Sequence, residues 1–208
     1  MTRYRGSRWA LLSLFLLAVL AGCSSVTVKQ PLPRMADAEE LAAFEGEWVS
    51  EGQILYVRFG ADGIGRFAGV DWKEDRFSLD EGEIIVSKGA GKGYLSVRLM
   101  ENGKWLDNYY IAQYRFTGQG DLILWLPDIG AFADAVGKGR LDGVVEKGSH
   151  TGSVALTSTP EKVMAFLNDP ANGAIFDYRE PMIIKKLLLT PPAREVESIS
   201  IPEDFTQE

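Results

Sequence analysis

Ser149 and His150 are residue types that act as nucleophile and general base in hydrolases, and they are adjacent in the sequence. Catalysis needs the two side chains to meet, with a third group orienting the base. Neighbouring residues of a strand point to opposite faces, and the sequence has no Gly-x-Ser-x-Gly turn to expose a serine. We therefore interpret them as part of a glycine-flanked loop or strand end, Gly148 to Gly152, and hydrolysis is the least favoured function.

The stretch Gly89-Ala90-Gly91-Lys92-Gly93 has the composition of a phosphate-binding loop. In such loops a Ser or Thr after the lysine holds magnesium, and a helix N-terminus follows to bind the phosphates. Gly93 occupies the Ser/Thr position here, and a strand pattern follows instead of a helix. The stretch is therefore predicted to be a hairpin loop.

Metal ligands are scarce in this chain, which has one histidine and one cysteine. Multi-histidine and cysteine-based metal sites are thereby excluded. An acidic run offers oxygen ligands, but it lacks the spacing that wraps a loop around calcium; its members are Asp71, Glu74, Asp75, Asp80, Glu81 and Glu83. The run is interpreted as a solvated edge, and the sequence predicts no metal ion and no cofactor.

Aromatic residues on predicted strands form the more informative group: Trp48, Tyr56, Tyr110, Tyr114 and Trp125. Rings carried on the strands of a small barrel can line a cup whose apolar walls and few hydroxyls suit a hydrophobic ligand. The same rings can instead fill the core of a barrel this small, and this second interpretation is the favoured one. Both stay open from the sequence.

The N-terminal segment combines three arginines in the first eight residues, an apolar run over 9–21 and the small residue Gly22 before Cys23. The run is too short for a membrane-spanning helix, which needs about 20 apolar residues, and has the layout of a signal peptide. Leu20-Ala21-Gly22-Cys23 resembles the lipobox of bacterial lipoproteins. The resemblance implies cleavage before Cys23, diacylglycerol on its thiol and an acylated amino terminus, hence a membrane partner through covalent lipid.

Charge and neighbouring residues refine the expected location. Removing residues 1–22 takes away three arginines and no acids, so the net charge changes from −7 to −10. An acidic domain repels phosphate backbones, which excludes nucleic acid as a partner. Ser24 follows the predicted lipidation site, whereas aspartate there favours inner-membrane retention in many such lipoproteins. We expect a lipid-anchored envelope protein, at the outer membrane and facing the periplasm.

The remaining chain is predicted to be one β-rich domain over 37–189, preceded by a lipidated tether over 23–36 and followed by a loose acidic tail over 190–208. Period-two alternation over 53–59, 94–100 and 108–116, with hairpin signals at Asp62-Gly63, Glu81-Gly82 and Asn102-Gly103, predicts antiparallel strands. Short helices are predicted at 38–44, 129–136 and 160–168, the last capped by Ser158. The fold class is mainly β, an antiparallel barrel or strongly curved sheet with two or three short helices.

The order of a short helix, Gly46-x-Trp48 and then strands is similar to the beginning of lipocalin-like barrels. This resemblance implies a cup for a small hydrophobic ligand. A scaffold domain that binds envelope proteins through an edge strand or the tail is nearly equally favoured. The expected function is therefore a non-catalytic binding or scaffold lipoprotein, with a carrier as the alternative and a hydrolase behind both.

Overall fold

The computed structural model describes residues 25–50, 53–73, 76–147 and 152–187, with the backbone alone for 71–73, 76 and 147. The predicted signal peptide and Cys23 lie outside the described residues, as do Ser149, His150 and the predicted tail. Within the described part the chain is mainly β. No helix in this part combines the length and apolar character that crossing a bilayer requires.

Twelve strands and three α-helices form within the described residues, with a short 3-10 turn at Pro170–Asn172. The helices are α1 Ala38–Phe44, α2 Ile129–Gly137 and α3 Pro160–Asn168. The strands are β1 Ser25–Val28, β2 Gly46–Ser50, β3 Gln53–Phe59, β4 Gly65–Lys73, β5 Arg76–Gly89, β6 Lys92–Glu101, β7 Lys104–Trp105, β8 Tyr109–Phe116, β9 Leu122–Trp125, β10 Gly143–Lys147, β11 Gly152–Leu156 and β12 Met182–Lys186.

Eight strands close into an antiparallel barrel in the order β2, β3, β4, β5, β6, β8, β9 and β12, with β12 paired back to β2. The closing pairs place Leu95 of β6 opposite Ala112 of β8, and Lys186 of β12 opposite Trp48 of β2. Closing a sheet on itself removes its free edges. The predicted fold class, a mainly β antiparallel barrel with short helices, is confirmed.

The turns explain how neighbouring barrel strands pair. Asn102 and Gly103 both have positive φ, 51° and 72°, and connect β6 with β7 as the Asn-Gly signal predicts. Gly82 was also predicted to mark a hairpin, and this is wrong, because it lies inside β5 opposite Phe67. A Cβ at Gly82 would approach the Phe67 ring to 2.2 Å. This glycine makes room for a ring and does not turn the chain.

A second layer covers one side of the barrel. β10, β11 and β1 extend the sheet from β8, and β1 runs parallel to β11 and antiparallel to β8. Helices α2 and α3 contribute buried side chains to the core of this layer, for example Phe132 and Leu167. Some barrel side chains point outward into the same core, namely those of Tyr94, Tyr109 and Ile111. These barrel strands are therefore buried on both faces.

The described part of the predicted tether, from Ser25 onward, joins this second layer, which corrects the expectation that it is a flexible linker. Val26 and Val28 of β1 are each 2% exposed, and Ser25 already pairs with Ser153 of β11. Leu32, also buried, donates its backbone N–H to Ser96 Oγ at 3.0 Å. Apolar residues that bury this well outweigh the polar and proline-rich composition that predicted a linker.

The helices begin where the sequence predicts, but the capping residue of α3 is a different one. Asp37 and Asp128 cap α1 and α2, accepting hydrogen bonds from the backbone N–H groups of Glu40 and Ala131. Ser158 was predicted to cap α3, but the cap is Thr159, which accepts from Lys162 N at 3.3 Å. Ser158 Oγ instead accepts from the backbone N–H of Asp142 at 2.7 Å. The serine joins α3 to the loop before β10.

Candidate ligand-binding cavity

The pleat of the strands decides which side chains enter the barrel. On β3, Gln53 and Val57 are buried at 8% and 6% exposure, whereas Ile54 and Tyr56 are 53% and 43% exposed. Alternate residues point to opposite faces, so Gln53, Leu55 and Val57 share the inner face. The barrel interior is therefore supplied by the more aliphatic of the two faces that the sequence offered.

An apolar cavity of about 150 Å³ lies inside the barrel. Its walls come from all eight barrel strands, with Phe44 of α1 at one end, and consist almost entirely of aliphatic and aromatic side chains, among them Leu55, Val57, Leu95, Leu124, Met182 and Ile184. Among the lining residues, Gln53, Asp80 and Tyr110 have a polar side-chain group, and Trp48 has its indole N–H. The cavity is thus an apolar chamber with a small polar component.

One end of the chamber is closed by α1 and aromatic packing. Phe44, the last residue of α1, meets Tyr114 and Phe116 edge to face, with ring centroids 4.9 and 4.8 Å apart. The Trp48 indole Nε1 donates to the carbonyl oxygen of Phe44 at 2.8 Å. We call this group of Phe44, Trp48, Tyr114 and Phe116 the plug.

Charged side chains around the plug contact it and each other. Lys186 Nζ lies 5.1 Å from the Trp48 ring centroid and donates to the carbonyl oxygen of Ala43 at 2.7 Å. The Tyr114 hydroxyl donates to Glu40, and Glu40 also pairs with Lys88. Burial, together with this hydrogen bond to a carboxylate, raises the pKa of Tyr114 far above its ordinary value. The hydroxyl therefore stays protonated, as its role as a donor requires.

The opposite end, which we call the mouth, carries the polar lining residues. Gln53 begins β3, and its Nε2 donates to Asp80 Oδ2 at 3.1 Å. Asp80 is half-buried, so solvent reaches part of this residue. Ser50 is opposite Gln53 in the β2–β3 pair, and its buried Oγ has no hydrogen-bond partner among the described residues. Polar groups thus gather at the mouth and apolar groups in the chamber.

Three of the five aromatic residues predicted to line a cup lie inside the barrel. Trp48 and Tyr110 line the cavity, and Tyr114 is buried in the plug. Burial, and then the negative charge of Glu101, raise the pKa of Tyr110. The structure therefore brings this part of the predicted set together.

Tyr56 and Trp125 do not line the cavity, which corrects that part of the prediction. Tyr56 points outward and its hydroxyl accepts from Arg58 Nε at 2.8 Å. Trp125 packs against the core of the second layer, and its ring centroid lies 5.6 Å from that of Tyr178. Each is on the outer face of its strand because its neighbour, Leu55 or Leu124, is the residue that points inward.

Sequence reasoning missed Gln53 and Asp80. Alternation places Gln53 on the same face as Leu55 and Val57, a signal that was available, but a polar residue at the start of a strand reads as solvent-facing. Asp80 was assigned to a solvated acidic run. Its position on the inner face follows only from the register of β5 against β4, where it is opposite Gly69.

The strongest charged cluster lies on the outer wall of the barrel. Glu83 is 2% exposed, pairs with Arg66 and with Arg98 at 2.6 Å, and accepts from the Tyr109 hydroxyl at 2.7 Å. Burial alone would raise the pKa of Glu83, but the Tyr109 hydrogen bond and the two arginines outweigh it and lower the pKa. The ring of Trp105 covers both guanidinium groups at about 5 Å. Glu83 is thus fully engaged in structural contacts.

Metal binding has no support within the described ranges, where no three His, Cys, Asp or Glu side chains are grouped to hold an ion. Ser149 and His150 fall in the gap at 148–151 and receive no structural account. Comparison of the chain with protein-family models, with curated proteins and with solved structures returns no match. The geometry of the cavity is therefore the basis for assigning a function.

Proposed function

We propose that the domain is a carrier that binds one small hydrophobic molecule inside its barrel. The observation that supports this is the apolar chamber of about 150 Å³, with the plug at one end and the polar residues Gln53 and Asp80 at the other. An engineered apolar cavity of about this size binds benzene and xenon. The barrel is also compatible with the lipocalin-like cup that Gly46-x-Trp48 implies. This cavity favours the carrier over the scaffold.

The energetics of packing support the same proposal. Residual cavities in protein cores reduce stability by about 24 cal/mol per Å³. An empty chamber of this volume therefore lowers the free energy of unfolding by about 3.6 kcal/mol relative to a filled core. Ordinary cores are packed to the density of organic crystals and avoid such space. Ala112, central in β8 and facing inward, is one position where a larger side chain would fill it. Retained empty volume suggests a ligand.

Filling the chamber is expected to abolish binding. Ala112→Leu adds three carbons to the wall, and we expect it to weaken the binding of 1-hexanol by at least about tenfold, because the added side chain occupies the ligand's volume. Ala68→Leu is the matched control, since Ala68 is opposite Tyr56 on the outer face. The measurement is calorimetric titration of the mature chain, residues 23–208, produced in the cytoplasm without lipid. Equal affinity in both variants would contradict the proposal.

We further propose that the carrier is a lipoprotein anchored through Cys23, at the outer membrane and facing the periplasm. The proposal is supported by the lipobox-like segment Leu20-Ala21-Gly22-Cys23 and by Ser24 after it. β1 begins at Ser25, so one residue, Ser24, lies between Cys23 and the first strand, and the two Cα–Cα steps span less than about 8 Å. Such an anchor would hold the domain directly at the bilayer surface, where hydrophobic ligands are concentrated.

The anchor is tested by replacing Cys23 with serine in a bacterial host. We expect the wild-type protein to fractionate with membranes, to be released by detergent and to incorporate labelled palmitate. The Cys23→Ser protein is expected to incorporate no label and to keep its signal peptide, because processing of lipoproteins follows lipidation of the thiol. A Cys23→Ser protein that is cleaved normally and still partitions with detergent-extracted membranes would contradict the anchor.

A further inference from the structure

The mouth of the cavity carries one charged lining residue, the carboxylate of Asp80. Its Oδ2 accepts from Gln53 Nε2 at 3.1 Å, and this fixes the amide with its nitrogen toward the carboxylate. A carboxylate only accepts hydrogen bonds, and the amide nitrogen already donates to it. The carboxylate therefore keeps acceptor positions for a ligand entering from this end, beside the one remaining N–H of the amide.

Other residues near this end of the cavity also carry polar groups. Ser50 follows Trp48 by two residues, so both side chains are on the inner face of β2. The Ser50 residue is 3% exposed, and its Oγ has no hydrogen-bond partner within the described part of the chain. The negative charge of Glu101 acts on Tyr110, another lining residue. An anionic head group would meet the Asp80 carboxylate here and no lining cation.

We infer that the ligand is an apolar molecule with a hydrogen-bond-donating head, an alcohol or preferably an amine, and that Asp80 and Gln53 bind this head while the chamber binds the apolar part. A fatty-acid carboxylate is disfavoured, because the lining would repel its charge and supply few donors. This inference rests on the proposed carrier function and specifies its ligand class.

The test is a set of three probes that share one chain and differ in the head group: 1-hexanol, hexylamine and hexanoate, titrated at pH 7 and low salt into the mature chain, residues 23–208. We expect hexylamine to bind at least about fivefold more tightly than hexanoate, because opposite charges attract and like charges repel at the mouth. In Asp80→Asn, which keeps the shape and the acceptor for Gln53, this preference should disappear.

Asp107→Asn provides the control, because Asp107 is exposed, does not line the cavity and carries the same charge change. It should retain the preference for hexylamine. Hexanoate binding as tightly as hexylamine, a preference that survives Asp80→Asn, or an equal loss in Asp107→Asn would overturn the inference, while 1-hexanol binding would leave the carrier function intact. If none of the three probes binds, the carrier function itself fails, and the inference fails with it.

Discussion

Replacing Trp48 with alanine is expected to lower the free energy of unfolding by about 4 kcal/mol, the middle of the range for deleting a large buried ring. Trp48 is 2% exposed and makes three contacts: it donates to the Phe44 carbonyl, packs near Phe116 and lies under the ammonium group of Lys186. Its loss leaves a void and an unpaired carbonyl together. The measurement is urea unfolding of the mature chain followed by circular dichroism.

Two further variants separate the causes of that loss. Trp48→Phe keeps most of the ring but removes the N–H, so a loss of about 1 to 2 kcal/mol is expected from the unmade hydrogen bond. Trp125→Ala removes a half-buried ring outside the barrel, and a smaller loss than for Trp48→Ala is expected. A Trp48→Ala protein no less stable than Trp125→Ala would show that the plug does not hold the barrel together.

Replacing Glu83 with glutamine is expected to lower the free energy of unfolding by about 3 kcal/mol at pH 7. Removing one partner of a buried ion pair leaves the other charge uncompensated. Here Arg98, whose side chain is 26% exposed, would lose its carboxylate, whereas Arg66, at 55%, can be solvated. We therefore expect a loss at the lower end of the range of about 3 to 5 kcal/mol that breaking a buried ion pair usually costs. The measurement is again urea unfolding, with Glu81→Gln on the same outer face of β5 as the control.

The pH dependence of this loss follows from the lowered pKa of Glu83. A carboxyl group whose pKa is lower in the folded than in the unfolded state contributes stability above its unfolded pKa, about 4.3. That contribution is lost as the pH falls through the folded value. The difference between wild type and Glu83→Gln should therefore be constant from pH 7 to about pH 5 and shrink below about pH 4. A difference that grows on acidification would contradict the assignment of the charged carboxylate.

Much of the fold could be predicted because antiparallel strands leave a period of two in the sequence, and glycine-containing turns separate them. The alternation over 53–59 specified a strand but not which face was inside. Both faces carry aliphatic or aromatic residues, Leu55 and Val57 against Ile54 and Tyr56. The inner face depends on how the sheet closes, and closure depends on contacts between strands as distant as β2 and β12.

The second layer was beyond local reasoning for a different reason. β1 has only four residues, lies among polar and proline residues, and is stabilised by pairing with β11, more than 120 positions later. The same layer covers the outer face of β8 and β9, which explains why Trp125 is half-buried without entering the cavity. Asp80 was missed because a carboxylate within an acidic run looks solvated until the register is known.

The central claim is that a small apolar molecule binds inside the barrel, and nuclear magnetic resonance on methyl-labelled mature chain tests it directly. Adding 1-hexanol should produce intermolecular nuclear Overhauser effects to cavity methyl groups, such as those of Leu55, Leu95 and Met182. Effects confined to the exposed outer methyl groups of Ile54, Val70 and Leu79, which are 53%, 48% and 59% exposed, would contradict the claim.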